Sequence, residues 1–284
     1  ALVAAGCGSH HAKEPAPRAA PHLPLCTGLK GRVVGHVNAP AATELSGLVL
    51  SRTHRGVLWT HNDSGDSARL FAISTRGRLL GELDVAGAEN VDWEDIAASG
   101  GSLYAGDIGD NLAQRPDISV YRVPDRALSG TVQGERFTLR YPDRPHDAEA
   151  LLVDPSSGAL LIVTKSLSER ADYYVADHPS SAGATTMRHA GSIPIGNALQ
   201  VTAGDVSADG RTVVIRTYDR AFVWSRRRGE SLVATLRRRA CTARADLLVE
   251  GQGESLALTR DGRAFYTVPE GRHPPLRRWA PQGG

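Results

Sequence analysis

"SGLVLSRTHRGVLWTHNDS", residues 46–64, is an apolar strand, a turn ending in glycine, and a second β-rich strand that runs into a crowd of polar side chains. The phrase returns as "EDIAASGGSLYAGDIGD" from 94, "EALLVDPSSGALLIVTK" from 149, "TAGDVSADGRTVVIRTYD" from 202 and "ESLALTRDGRAFYTVPEG" from 254. A period of about fifty residues, with shorter strand-like pieces such as "RLFAIS" and "GRLLGELDV" after each phrase, is the pattern of four-stranded propeller blades. Five units leave the last one short, because the chain ends soon after "PLRRWAP". The missing strand lies at the other end, where "GRVVGHVNAPAATELSG" from 31 reads like "GRLLGELDVAGAENVDWED" from 77. The sequence therefore predicts an all-β, five-bladed β-propeller over residues 26–284, with the strand around Arg32 to Val37 closing the ring and removing the open sheet edges.

The composition suits a folded globular chain with one large core or two modest ones. Of 284 residues 41% are hydrophobic and 23% charged, with a net charge of +2, which fits neither disorder nor a fibrous repeat. No stretch reaches the roughly 18 consecutive apolar residues of a membrane-spanning helix. The basic runs at 226–228 and 237–239 are separated by acidic and apolar segments. They suit a solvated blade edge, so no nucleic-acid partner is expected, and the chain is expected to be a monomer.

Residues 1–25 read differently. "LVAAGC", residues 2–7, resembles a bacterial lipobox, which makes Cys7 the expected lipidation site; the other reading is an incidental thiol. The Pro- and Ala-rich stretch that follows has no apolar period and reads as a flexible tether, with His10 and His11 as linker residues. The expected product is an exported protein, lipid-anchored to the outer side of a bacterial membrane. Cys26 and Cys241 are then an even pair in a compartment that permits oxidation, and a disulfide is the natural reading. Against it, Cys26 precedes the closing strand and Cys241 is placed after the fourth strand of blade four, toward the opposite face; two free thiols stay open as the alternative.

In a propeller the first strand of each blade lines the axis and the second runs antiparallel to it, so the start of one and the end of the other share a face. At the phrase starts stand Ser46, Glu94, Glu149, Thr202 and Glu254, one oxygen-bearing side chain per blade. Three carboxylates brought so close repel unless protonated or bridged by a cation. Oxygen ligands in that number suit Ca²⁺ better than tetrahedral Zn²⁺, although each acid could instead accept hydrogen bonds from a neighbouring blade. Glu44, Asp92, Asp95 and Asp147 crowd the same rim. "HNDSGD" from 61 and "GDIGDN" from 106 lack the twelve-residue spacing of an EF-hand loop.

These residues carry two resemblances. "ELSGLVLS", "VLWTHNDSGD", "NVDWEDIA", "LYAGDIGDN", "HDAEALLVDP" and "GQGESLAL" look like an uncharacterised family of exported bacterial propeller proteins, over nearly the whole folded region. More distantly, the ring of Ser46, Glu94, Glu149 and Glu254, with Thr202 replacing a serine, resembles the calcium-activated nucleotidase (apyrase) family. That resemblance implies a five-bladed propeller with one axial calcium, hydrolysing nucleoside di- and triphosphates, though that family's nucleotide-contacting residues are not matched here.

Two functions follow as expectations. One is a calcium-dependent hydrolase of phosphate esters or anhydrides, with His61, Asp63, Asp107 or Asp110 activating water, and Lys165 and Arg216 holding a small anionic substrate. The other is a non-catalytic platform for a ligand or protein partner, in which calcium only stiffens the ring.

Overall fold

The computed structural model describes residues 23–282, which form five sheets set around one axis. Blade one comprises Leu45–Leu50, Val57–Asn62, Arg69–Ser74 and Leu79–Ala86, and blade two Trp93–Ser99, Ser102–Asp107, Ile118–Pro124 and Glu135–Arg140. Blade three comprises Ala148–Val153, Leu160–Thr164, Arg170–Ala176 and Arg188–Pro194, and blade four Val201–Val206, Thr212–Thr217, Ala221–Ser225 and Cys241–Ala243. Blade five joins the C-terminal strands Ala257–Leu258, Phe265–Thr267 and Pro275–Pro281 to the N-terminal strand Leu29–His36. The protein is a five-bladed β-propeller whose ring is closed by its N-terminal strand.

The local sequence explains the strands. The inner strands of blades one, three and four are buried at every position, as expected for short apolar runs packed on both faces. The Asp-Gly turns at 209–210 and 261–262 put Gly210 and Gly262 at φ of 69° and 63°, a region that glycine enters without a Cβ penalty. Five separate apolar clusters then fill the five gaps between neighbouring blades. Between blades one and two, Val49, Trp59 and Leu70 pack with Ile96, Leu103 and Val123. Between blades five and one, Leu45, Leu48 and Phe71 pack with Ala257, Val268 and Leu276. The closing interface is thus built like the others, and burial of its apolar area contributes to holding the ring shut.

Outer edges are covered by the next blade. Gly130–Gln133, from the connection inside blade two, pairs parallel with Leu79–Ala86, and Thr185–Thr186 does the same to Glu135–Arg140. The short helix Leu232–Leu236 packs on Arg188–Pro194 at the matching place beside blade three. Such covering blunts edges that would otherwise template pairing with other chains. Among the described residues no helix is long and apolar enough to cross a membrane.

The same covering brings the cysteines together. Cys241 opens the fourth strand of blade four instead of following it, and the segment before Leu29 runs alongside that strand. The Leu29 N–H donates to the Arg244 carbonyl at 2.8 Å and the Arg244 N–H to the Thr27 carbonyl at 3.2 Å. Cys26 and Cys241 are disulfide-bonded with their Cα atoms 5.7 Å apart, across 215 residues of sequence. The opposite-face objection is thereby corrected. Packing also reaches back into the stretch read as tether, because Leu25 is fully buried between blades four and five. Cys7 lies outside the described residues.

Candidate cation site

Four blades carry the same β-bulge at the axis. Pairing between first and second strands slips between Ser46 and Leu48, Trp93 and Asp95, Ala148 and Ala150, and Val201 and Ala203. Gly47, Glu94, Glu149 and Thr202 are thus left out of the ladder. A bulge bends its strand and re-aims a side chain, which turns these positions from sheet residues into axis residues. A second ring stands beside the first. The N–H just past each second strand donates to the carbonyl of a residue shortly before the bulge: Asp63 to Glu44 at 2.8 Å, Gly109 to Asp92 at 3.1 Å, Lys165 to Asp147 at 3.0 Å, Tyr218 to Gln200 at 3.3 Å and Glu270 to Gln252 at 3.1 Å. Asp63, Lys165 and Tyr218 therefore occupy equivalent places around one mouth; in blade two that place is Ile108, whose N–H also donates to the Asp92 carbonyl at 3.1 Å, and Gly109 and Glu270 lie just beyond it in their blades.

The mouth is rich in acids and poor in donors. Carboxylate oxygens of Asp63, Asp92 and Glu94 lie within 4.8 Å of one another, and so do those of Glu94, Asp147 and Glu149. Glu94 is 3% exposed, and among the described residues its carboxylate receives no hydrogen bond. Glu149 is 1% exposed; its Oε1 accepts from Lys165 Nζ at 2.5 Å, whereas its Oε2 is buried without a partner. Glu254 accepts from the Tyr218 hydroxyl and stands close enough to Glu270 to raise it. Burial first, and then the neighbouring acids, drive Glu94 well above the ordinary carboxylate range. Burial likewise raises Glu149 well above that range, against the opposing pull of Lys165. Asp63 is also raised, Asp92 reaches about 6 and Glu270 about 8, with desolvation again the leading cause. Burial works against the Lys165 charge, but Glu149 outweighs it and holds the ammonium above its usual range.

Several residues singled out by the sequence have other duties here. The Ser46 hydroxyl donates to the Glu94 carbonyl at 2.7 Å and the Thr202 hydroxyl to the Gly253 carbonyl at 3.1 Å, so both tie neighbouring blades. His61 is fully buried, edge-on to Trp93, and burial lowers it to about 4. It is a neutral core histidine with no access to solvent, which corrects its reading as a base. Asp107 accepts from the Asp92 N–H and pairs with Arg115 at 2.9 Å, while Asp110 accepts from the Gln114 and Arg115 N–H groups. Both acids shape the loop after the second strand of blade two. Arg216 is wholly buried, bonded to Glu250 at 2.7 Å and to the Ser255 carbonyl at 2.7 Å, and so cannot meet a substrate as it stands. Of the catalytic candidates Asp63 alone joins an acid group, and of the anion-holding candidates Lys165 alone reaches the mouth.

Sequence reasoning passed over Gly109, Tyr218 and Glu270. A Cβ on residue 109 would stand 2.3 Å from Glu94 Oε1 and 2.5 Å from Asp92 Oδ2, so glycine leaves the room those two carboxylates use. Within "HNDSGD", Asn62 accepts from the Thr43 and Glu44 N–H groups and donates to Asp66, which makes most of that stretch a clamp on the turn. Two clefts lie away from the mouth, along the outer edge of blade five. One of about 820 Å³ is lined by Lys30, Arg32, Arg277 and Arg278 among others.

No protein-family model matches the chain, and no curated protein matches it. Similar solved structures include a putative 6-phosphogluconolactonase from Bacteroides uniformis, at 16% identity and a TM-score of 0.41, covering 84% of this chain and 68% of that one. They also include the hydrazine synthase of Kuenenia stuttgartiensis, at 13% identity and a TM-score of 0.39, covering 75% of this chain and 58% of that one. A chain of the mitotic checkpoint complex matches at 15% identity and a TM-score of 0.41, covering 84% of this chain and 63% of that one. The chain spans less than two thirds of the last two. At these levels the likenesses carry no argument about activity.

Proposed function

We propose that the mouth binds calcium and that the protein is an exported, calcium-dependent hydrolase of small phosphate esters or anhydrides. The observation that supports this most is the buried pair Glu94 and Glu149, one carboxylate without a donor and the other with Oε2 unpartnered, among further acids and a single lysine. Buried charge without compensation costs several kcal/mol on the general scale for ions taken out of water. A hard cation removes that cost, and the all-oxygen donor set of Asp63, Asp92, Glu94, Asp147 and Glu149 suits Ca²⁺. When bound, the ion would neutralise and orient an anionic substrate.

The chain's own residues supply the rest. Lys165 adds a positive charge beside Glu149 that can hold a phosphate oxygen. Asp63 and Asp92, the half-buried members of the acid group, are placed at its outer side to accept a proton from water. In the proposed reaction a water oxygen bonds to phosphorus, the bond to the leaving oxygen breaks with its electron pair, and Asp92 or Asp63 takes the proton from the water. The Cys26–Cys241 disulfide fits an oxidising compartment and supports export; lipid attachment at Cys7 belongs to the same proposal.

The test is a phosphate-release screen over nucleotides, sugar phosphates and phytate, with calcium or with chelator. Calcium-dependent release that disappears in folded Asp92→Asn with Asp63→Asn supports the hydrolase. Retained calcium binding with no release across the panel would overturn it and leave a calcium-stiffened binding platform.

A further inference from the structure

We propose that the mouth holds two calcium ions side by side, sharing Glu94 as a common ligand. This rests on the cation-binding reading above and adds to it the number and arrangement of the ions. Two groups of three carboxylates, Asp63 with Asp92 and Glu94, and Glu94 with Asp147 and Glu149, have Glu94 as their one common member. Each group contains a carboxylate more than nine-tenths buried that lacks hydrogen-bond donors: Glu94, with none, serves both, and Glu149 brings its unpartnered Oε2 to the second. A shared carboxylate between flanking acids is the arrangement that can hold two ions roughly 3.5–4 Å apart.

Charge balance favours two ions over one. The five carboxylates carry five negative charges if ionised, and Lys165 offsets one. Two divalent cations offset the rest of these five, whereas a single ion leaves two negative charges in a largely buried place, to which Glu254, acting on both Glu94 and Glu149, adds another. Such a surplus costs several kcal/mol per ion on general grounds. Gly109 fits the same reading, because any side chain there would press on Glu94 and Asp92 at once. Neither Ser46 nor Glu254 is needed, which moves the site off the axis toward blades one, two and three.

The experiment uses the folded, oxidised protein. Equilibrium dialysis with radioactive calcium should give two ions per chain, and manganese loaded in place of calcium should give the electron paramagnetic resonance spectrum of a coupled pair. Glu94→Gln should weaken both sites about tenfold or more, on the scale of lost metal-site interactions. Asp147→Asn should leave the Asp63–Asp92–Glu94 ion, and Asp63→Asn the Glu94–Asp147–Glu149 ion. One ion per chain, or two manganese ions with uncoupled six-line spectra, would overturn the shared site while leaving the cation reading intact. No bound ion would overturn both. The manganese measurement on the wild type needs no variant and decides the matter even if Glu94→Gln fails to fold.

Discussion

Glu94 and Asp95 are neighbours in sequence and both are buried on the propeller axis, yet their surroundings are opposite. Asp95 accepts from the backbone N–H groups of Ile96, Leu151 and Gly204, at 2.9, 2.9 and 3.1 Å, and so pins blade two to blades three and four. Asp205, lower on the axis, accepts from Val206 and Leu258 N–H groups at 2.7 and 2.8 Å and faces Arg52 at 3.4 Å. Glu94 receives nothing and faces other acids. The contrast separates two uses of a buried carboxylate. With its donors supplied by the fold it is a structural tie; with them withheld it is, on the reading proposed above, a ligand for a cation.

The strongest way to break the comparison is to remove one acid of each kind. Asp95→Ala should destabilise the protein by about 3 kcal/mol or more in urea unfolding, with or without calcium, because it strands three buried N–H groups. Glu94→Gln should leave the calcium-free protein as stable or up to about 1 kcal/mol more stable, since it removes a buried like charge. Similar losses in both variants would erase the distinction.

The pH dependence sharpens it. In the folded chain Asp63, Asp92, Glu94, Glu149 and Glu270 are all raised above their ordinary values, so the folded state holds more protons than the unfolded one between about pH 4 and 8. The stability this confers is complete below about pH 4 and is lost as pH rises through the folded values, near 6 for Asp92 and 8 for Glu270. Calcium-free protein should therefore melt higher at pH 5.5 than at pH 8, and saturating calcium should remove most of that slope. A remainder is expected from Asp95 and Asp205, which burial raises despite the amides that bind them, Asp205 to about 6 with Arg52 opposing, and which belong to neither acid group. A slope unchanged by calcium would place its origin in Asp95 and Asp205 alone. The smallest effect is expected at Glu254, where Tyr218 already donates; Glu254→Gln should shift calcium affinity by less than threefold, about 0.6 kcal/mol, in calorimetric titration.

The fold was legible because each blade repeats one phrase, and because the N-terminal strand reads like the fourth strand of another blade. The gathering of acids at the axis was legible for the same reason, although the bulge sets Gly47, and not Ser46, in register with Glu94, Glu149 and Thr202. What lay beyond the sequence was the sorting of the acids that gather there. In "WED" nothing distinguishes Glu94 from Asp95, since the bulge between Trp93 and Asp95 and the amides of blades three and four decide which one is satisfied. Arg216 read as an anion holder because Glu250, its partner, comes from a loop 34 residues away. His61 stood beside Asp63 in sequence, but strand alternation turns it into the core against Trp93. The cysteines were misplaced because sequence spacing gave no sign that the segment before Leu29 runs along the fourth strand of blade four.

The central claim, that the mouth is a cation site, meets its most direct test in the thermal midpoint of the oxidised wild-type protein, measured with saturating calcium and with chelator at pH 7.5. The account predicts a clearly higher midpoint with calcium, and loss of that difference in Glu94→Gln with Glu149→Gln. The same midpoint in both conditions for the wild type would contradict it.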